Sequence, residues 1–314
     1  MQVSETINNK ELYDIIVLGG GLTGLAAALT GGRLGFKTLL LEKAVFGGCV
    51  AVLDTVTEYP GIEKTDGWEL TQTIVKQAEM LGCRLLDSTE AGDVRESEDN
   101  SFEVVCSNGK RFKGRSVIIA TGGEPLMLEL ADEAHFARHG IHTCVQCSGT
   151  RYKGETVAIA GNNSWALRAA AHLLKLGCTV LYITGDTELF GDAGIVNNLL
   201  NHEQFRFLGG CHVTGLYGKE DLEEILVAGL AGGSFQKIKV SAVFVYRGIK
   251  PNSGMVRARK DRKGFLQVDE NSMTSIPGIF AAGRVVHPVL PIEVMAGDGS
   301  RATLGAAGWL RGEA

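Results

Sequence analysis

The sequence predicts an α/β protein made of two Rossmann-like nucleotide-binding domains, the second inserted in the first. Three observations lead there. A short apolar run, a glycine-bearing turn and a helix-like segment follow one another near the N-terminus, and the same order returns at residues 157–170, VAIAGNNSWALRAA. The chain has 42 glycines against 6 prolines, a balance suited to many tight strand-to-helix turns. Its 314 residues, 45% of them hydrophobic, suffice for one large core or two medium ones.

Each element follows in order. Residues 14–18, DIIVL, are a continuous apolar run suited to a buried parallel strand. Next, GGGLTG places Gly19, Gly21 and Gly24 in a G-x-G-x-x-G pattern, with Leu22 and Thr23 between them. Gly19 permits the tight turn, Gly21 lets a pyrophosphate approach the backbone, and Gly24 lets helix pack on strand. LAAALTGGRLG reads as the helix, whose positive N-terminal end faces the phosphates, and KTLLLEK as the second strand. That strand ends at Glu42, about 20 residues on, where an acid accepts from ribose hydroxyls. RSVIIATGG (115–123) is an apolar strand ending in Ala120, Thr121 and Gly122, and residues 264–284 end in a strand with Gly283 at its tip. Both return the chain to the first site, at the carboxyl ends of strands.

The domain boundaries expected are residues 1–120 with 247–314 for the first domain and 121–246 for the inserted one. The joins are TGGEP and the segment near Tyr246, Arg247 and Gly248, both rich in turn formers, and two crossings make a natural hinge pair. The net charge of -5 does not favour nucleic acid. No apolar run nears the roughly 20 residues of a membrane span, and the start, MQVSETINNKELYD, lacks a signal-peptide apolar core. The expectation is a soluble cytoplasmic protein. The cysteines at 49, 83, 106, 144, 147, 178 and 211 are scattered except for one pair, so they are no disulfide framework.

The N-terminal fingerprint, FGGCV, EYPG, ATGG, CVQC, SIPGIFAAG and AGDG occur in an order that resembles the low-molecular-weight thioredoxin reductases, over about residues 12–310. The resemblance implies FAD in the first site, an inserted domain that carries NADPH and a redox disulfide in most members, and a homodimer. By position it adds Lys43, Gly48, Cys49, Arg284, Pro291 and Ile292 to the flavin set. Cys49 takes the place of a glutamine near the flavin, and Arg284 that of an acid bonding the ribityl chain or a phosphate. Arg284 suits phosphate oxygens as a fork of donors, or turns outward. The last helix is expected to begin near Asp298 and Ser300, both acceptable caps, and to point its N-terminus at the flavin.

GIHTCVQCSGT places Cys144 and Cys147 in a C-x-x-C, a spacing that closes a small ring and exchanges with another protein's disulfide. A structural metal is the rival reading, with His139 and His142 close by, and an incidental pair is a third. The resemblance assigns Cys147 to face the flavin and Cys144 to attack the partner. The acid that follows the second cysteine in the family is Ser148 here, which leaves the proton donor open. His142 is a candidate general acid, or else a hydrogen-bonded loop histidine.

The second turn departs from the fingerprint. Where the middle glycine belongs there is Asn163, whose tolerance of left-handed angles keeps the turn while its side chain narrows the phosphate space. Trp165 adds bulk. No arginine lies between Arg168 and Arg206, and a 2′-phosphate would meet Asp186 and Glu188. NADPH is therefore unexpected, and NADH is disfavoured although Asp186 suits a ribose. The pattern resembles the branch without nicotinamide motifs: the ferredoxin-dependent flavin thioredoxin reductases and the related diflavin-linked disulfide oxidoreductases, which place a second FAD in the vacant site. Residues 247–263 hold seven basic residues and one acid, a patch an acidic ferredoxin fits, or a solvated loop. The expected activity passes electrons from ferredoxin through FAD and Cys144–Cys147 to thioredoxin or a similar protein. The alternatives are a dithiol oxidase using oxygen and a non-enzymatic flavin redox sensor.

Overall fold

The computed structural model describes residues 11–53, 55–230, 235–288 and 290–313. Most of the polar N-terminal segment noted above lies outside them. The chain divides into two compact units, residues 1–124 with 250–314, and residues 125–249. The crossings fall a few residues beyond the expected joins.

The first unit opens with β1 (Leu12–Leu18), α1 (Leu22–Arg33) and β2 (Thr38–Leu41), then α2 (Gly67–Met80) and four strands, β3 (Arg84–Leu86), β4 (Ala91–Glu96), β5 (Phe102–Cys106) and β6 (Arg111–Ile119). The chain leaves it through β7 (Gly123–Pro125). The second unit runs β8 (Ile141–His142), α3 (Val145–Ser148), β9 (Thr156–Ala160), α4 (Ser164–Lys175), β10 (Thr179–Thr184), α5 (Ala193–Leu200) and β11 (Phe205–Gly209). It continues with β12 (Cys211–Gly218), β13 (Leu222–Gly229), β14 (Phe235–Lys239) and β15 (Ala242–Val245). The chain returns through β16 (Ile249–Pro251), then β17 (Ile279–Ala281) and α6 (Ile292–Arg311).

The first sheet has the order β3-β2-β1-β6-β5-β4, with β17 also on β6. Strands β1, β2, β3, β6 and β17 pair in parallel, while β4 and β5 add antiparallel. Ile15, Ile16, Val17 and Leu18 are all fully buried, because a parallel strand is covered on both faces. Helices α1, α2 and α6 cover one face. Helix α6 lies so close to α1 that a Cβ on Gly299 would sit 2.0 Å from the Thr23 carbonyl oxygen, and Thr303 Oγ1 donates to Ala27 O at 3.0 Å.

The second sheet, β11-β10-β9-β15-β8, is parallel throughout. α4 and α5 pack on one face and the antiparallel sheet β12-β13-β14 on the other. The register Val245↔Ala160 puts the end of β15 beside the end of β9, where the second turn begins. Among the described residues no helix is long and apolar enough to cross a membrane.

Candidate functional site

The three glycines of the first turn carry three different steric demands. Gly19 has φ +100°, and a Cβ there would lie 2.5 Å from Ala120 O. One on Gly24 would fall 1.8 Å from Gly19 O. At Gly21 the only neighbour is Gly48 Cα, 4.0 Å away, so the space in front of it is open. Gly21 is also the N-cap of α1, with no side-chain hydrogen bond, so the first-turn amides around Leu22 and Thr23 are left for a ligand. Glu42, just past β2, is held in place: Oε2 accepts from Gly20 N at 2.7 Å and Oε1 from Ala44 N at 2.9 Å. An adjoining cavity of about 380 Å³ is lined by Gly19, Glu42, Lys43, Thr121 and Asn252, among others. Lys43 also pairs with exposed Glu124 at 3.2 Å.

Asn252 was not legible as a site residue. Its N donates to Gly122 O, its Nδ2 to Thr121 O, and its own carbonyl accepts from Thr121 Oγ1 at 2.5 Å. It thereby fixes the Ala120–Gly122 turn from 131 residues away, and no local spacing signals that.

The loop at Gly48 packs on the fingerprint: a Cβ on Gly48 would sit 3.1 Å from Gly21 Cα, and Gly47 N donates to Gly20 O at 2.8 Å. Cys49 is exposed, and Arg284 Nη1 donates to its sulfur at 3.6 Å. Gly283 has φ +75° and donates its N–H to Asp298 Oδ2 at 2.5 Å. That bond corrects the expected start of the last helix. Asp298 and Ser300 lie inside α6, not at its cap: Asp298 is buried, pairs with Arg301 and anchors the Gly283 turn, and Ser300 Oγ donates to Ala296 O. The helix starts six residues earlier, with Pro291 as an N-cap without a side-chain bond and Ile292 as its first residue. Proline fits there because the first amides have no helical partner. In that first turn Glu293 Oε2 is buried with no partner among the described residues. An open glycine, uncapped α1 amides, an anchored acid and an orphaned polar atom in one unit fit a dinucleotide such as FAD.

In the second unit Cys144 and Cys147 are joined as a disulfide, and Cys147 N donates to Cys144 Sγ at 3.2 Å. His142 does not stand ready as an acid. It is buried, its Nε2 lies 2.7 Å from Tyr152 Oη, and its ring packs against Phe244. Burial, with Arg151 nearby, pushes its pKa down to about 4, so the imidazole is neutral at physiological pH. His139 instead faces Asp221 at 3.2 Å, and among the described residues no three His, Cys, Asp or Glu side chains gather to hold a metal.

The second turn holds itself closed. Asn163 has φ −146° and ψ 171°, extended backbone, so its tolerance of left-handed angles is not what keeps it there. It is the N-cap of α4: Oδ1 accepts from Trp165 N and Ala166 N, both at 3.0 Å, and Nδ2 donates to Tyr246 O at 2.5 Å. The amides a phosphate would use are thus already taken. Asp186, the one acid suited to a ribose, accepts from Asn162 Nδ2 at 2.8 Å and from Thr184 Oγ1 at 3.2 Å. Gly161, at φ +147°, keeps the glycine the turn requires, since a Cβ would meet Tyr246 O at 2.2 Å.

Of the seven basic residues at 247–263, Arg247 Nη1 donates to the carbonyls of Met127 and Leu128. Lys250, Arg257, Arg259, Arg262 and Lys263 are exposed, Lys260 is half-buried, and none of the six pairs with a carboxylate among the described residues. Asp261, the acid among them, is occupied by the N–H groups of Lys263 and Phe265.

A sequence model of the family described as pyridine nucleotide-disulphide oxidoreductase matches residues 13–300. The chain is 27% identical over 300 residues to a thioredoxin reductase of Listeria innocua, covering 94% of this chain and 93% of that one. It is 25% identical over 310 residues to a 34.2 kDa protein in the rubredoxin operon of Clostridium pasteurianum, covering 98% and 100%. The crystal structure of Lactococcus lactis thioredoxin reductase in its FR conformation superposes with a TM-score of 0.83 at 25% identity, over 96% of this chain and 99% of that one.

Proposed function

Because the chain belongs to the pyridine nucleotide-disulphide oxidoreductase family, and is a thioredoxin reductase-like flavin disulfide oxidoreductase, we propose that it reduces a protein disulfide with electrons that do not come from NADPH. One observation carries the second half: Asn163 spends the first-turn amides of α4 on its own side chain. A nicotinamide dinucleotide would have to displace that cap, and NADPH would also have to place its 2′-phosphate where there is no arginine. The same cap occupies first-turn amides that the phosphates of a second FAD would use.

The donor that fits is a small acidic iron–sulfur protein of the ferredoxin class. Six basic residues at 250–263, unpaired among the described residues, supply the charge that steers such a partner. FAD, when bound, converts single electrons into the pair a disulfide needs. Gly21 and the α1 amides would hold its pyrophosphate and Glu42 its ribose. Two electrons and one proton open Cys144–Cys147 to a thiol on Cys147 and a thiolate on Cys144. Cys144 then attacks the disulfide of thioredoxin or a similar protein, and Cys147 resolves the mixed disulfide, which restores the starting pair.

Anaerobic visible absorption tests the reading. Reduced ferredoxin is expected to bleach the flavin band, while NADPH and NADH leave it unchanged. Rapid bleaching by NADPH would overturn it, and oxygen uptake with a dithiol substrate would favour an oxidase instead.

A further inference from the structure

We propose that Tyr246 is a catalytic residue of the redox pair: when Cys144–Cys147 opens, its phenolic O–H donates a hydrogen bond to the Cys144 thiolate and keeps that sulfur ionised. The inference rests on the reading of this pair as the redox centre.

The backbone of Tyr246 is held on both sides of the residue. Its N–H donates to Ala160 O at 2.7 Å and its carbonyl accepts from Asn163 Nδ2 at 2.5 Å. That anchoring follows from the β9–β15 register, which ends one residue earlier at Val245↔Ala160. The side chain then reaches α3, where the phenolic oxygen accepts from Val145 N at 3.1 Å. Val145 is bonded directly to Cys144. The phenol has spent an acceptor site there and keeps its hydrogen, which no acceptor among the described residues takes.

In the disulfide neither sulfur is charged, so that hydrogen has no strong partner. Reduction supplies one. Two electrons and one proton break the S–S bond, leaving a thiol on Cys147 and a thiolate on Cys144, and a thiolate is a much better acceptor than a disulfide sulfur. No proton leaves Tyr246. Burial pushes its pKa up to about 12, so it remains a donor throughout the range in which thiols titrate.

The other titratable groups nearby do not compete. His142 is neutral and engaged with Tyr152, whose own pKa burial raises. Arg151 lies over the Tyr152 ring and donates to Arg138 O.

The test uses the flavin-loaded, full-length protein, reduced with dithiothreitol and alkylated with iodoacetamide across pH, with each cysteine followed by mass spectrometry. In the wild type Cys144 is expected to titrate below the ordinary thiol value of about 8.5. Tyr246→Phe should raise that by about one unit, tenfold less thiolate at a given pH. In dithiothreitol redox buffers the same tenfold moves the midpoint about 30 mV more negative. Tyr182→Phe, which removes from β10 a buried phenol with no partner among the described residues, should leave both readings in place. A merely structural role would lower stability and move neither. An ordinary Cys144 titration in the wild type overturns the proposal even if Tyr246→Phe fails to fold, as does an unchanged one in a folded Tyr246→Phe. If the wild-type pair cannot be reduced reversibly at all, the redox reading itself falls, and that is seen before any variant is made.

Discussion

Replacing Asn163 by alanine separates a cap from a mere replacement of glycine. Alanine removes Oδ1, which serves the amides of Trp165 and Ala166, and Nδ2, which serves Tyr246 O. Loss of the cap costs about 1 kcal/mol. Loss of the second hydrogen bond costs about 1 kcal/mol more. The sum, about 2 kcal/mol, falls on the unit of residues 125–249. For a domain of that size it corresponds to a drop of about 8 °C in Tm. Two units need not unfold together, so the probe must be local. Trp165 is the sole tryptophan between residues 125 and 249, and Trp68→Phe with Trp309→Phe leaves it as the only fluorophore of its kind. Asn163→Ser keeps a capping oxygen without the donor to Tyr246 and should lose about half as much. A loss below about 0.5 kcal/mol for Asn163→Ala, within the ordinary range for surface changes, would refute the assignment. Neither variant should gain an NADPH response, because Asp186 stays paired with Asn162 and the arginines are still absent.

Other outcomes follow from the same geometry. Gly21→Ala should fold and lose flavin, measured as visible absorbance per chain, whereas Gly24→Ala should lose the fold, since their Cβ atoms would lie 4.0 Å and 1.8 Å from the nearest atom. The pKa of His142 is depressed from 6.5 to about 4, so its contribution is complete above pH 6.5 and is lost as pH falls towards 4. The loss is about 3 kcal/mol, and His142→Gln should flatten that part of a stability–pH curve. Cys144→Ser and Cys147→Ser should abolish disulfide reduction and retain flavin; loss of flavin from both would make the pair structural. Reversing Lys250, Arg257 and Arg259 to glutamate should slow reduction by ferredoxin at low salt and weaken its ionic-strength dependence, checked by stopped-flow bleaching.

Backbone demands were legible in the sequence because they are local. Gly19, Gly21 and Gly24 answer to sterics within one turn, the run at 14–18 to burial on both faces, and the Cys144–Cys147 spacing to ring closure over three residues. From these alone came the α/β class, the first candidate nucleotide turn and the pairing of the two cysteines. What long-range contacts decide could not be read that way. Asn163 looked like a damaged glycine, and only the neighbouring strand end reveals it as a cap tied to Tyr246, 83 residues on. Asp298 looked like a helix start and instead holds the Gly283 turn from inside α6. His142 read equally as an acid or as a hydrogen-bonded histidine, and burial with Tyr152 decides for the neutral, hydrogen-bonded ring. Tyr246 carried no signal, because sheet register, not sequence distance, sets its phenol against Val145. A residue's φ preference and side-chain volume travel with the sequence. The partner of its hydrogen bond is assigned only when parallel strands, joined by long crossovers, bring distant ends together.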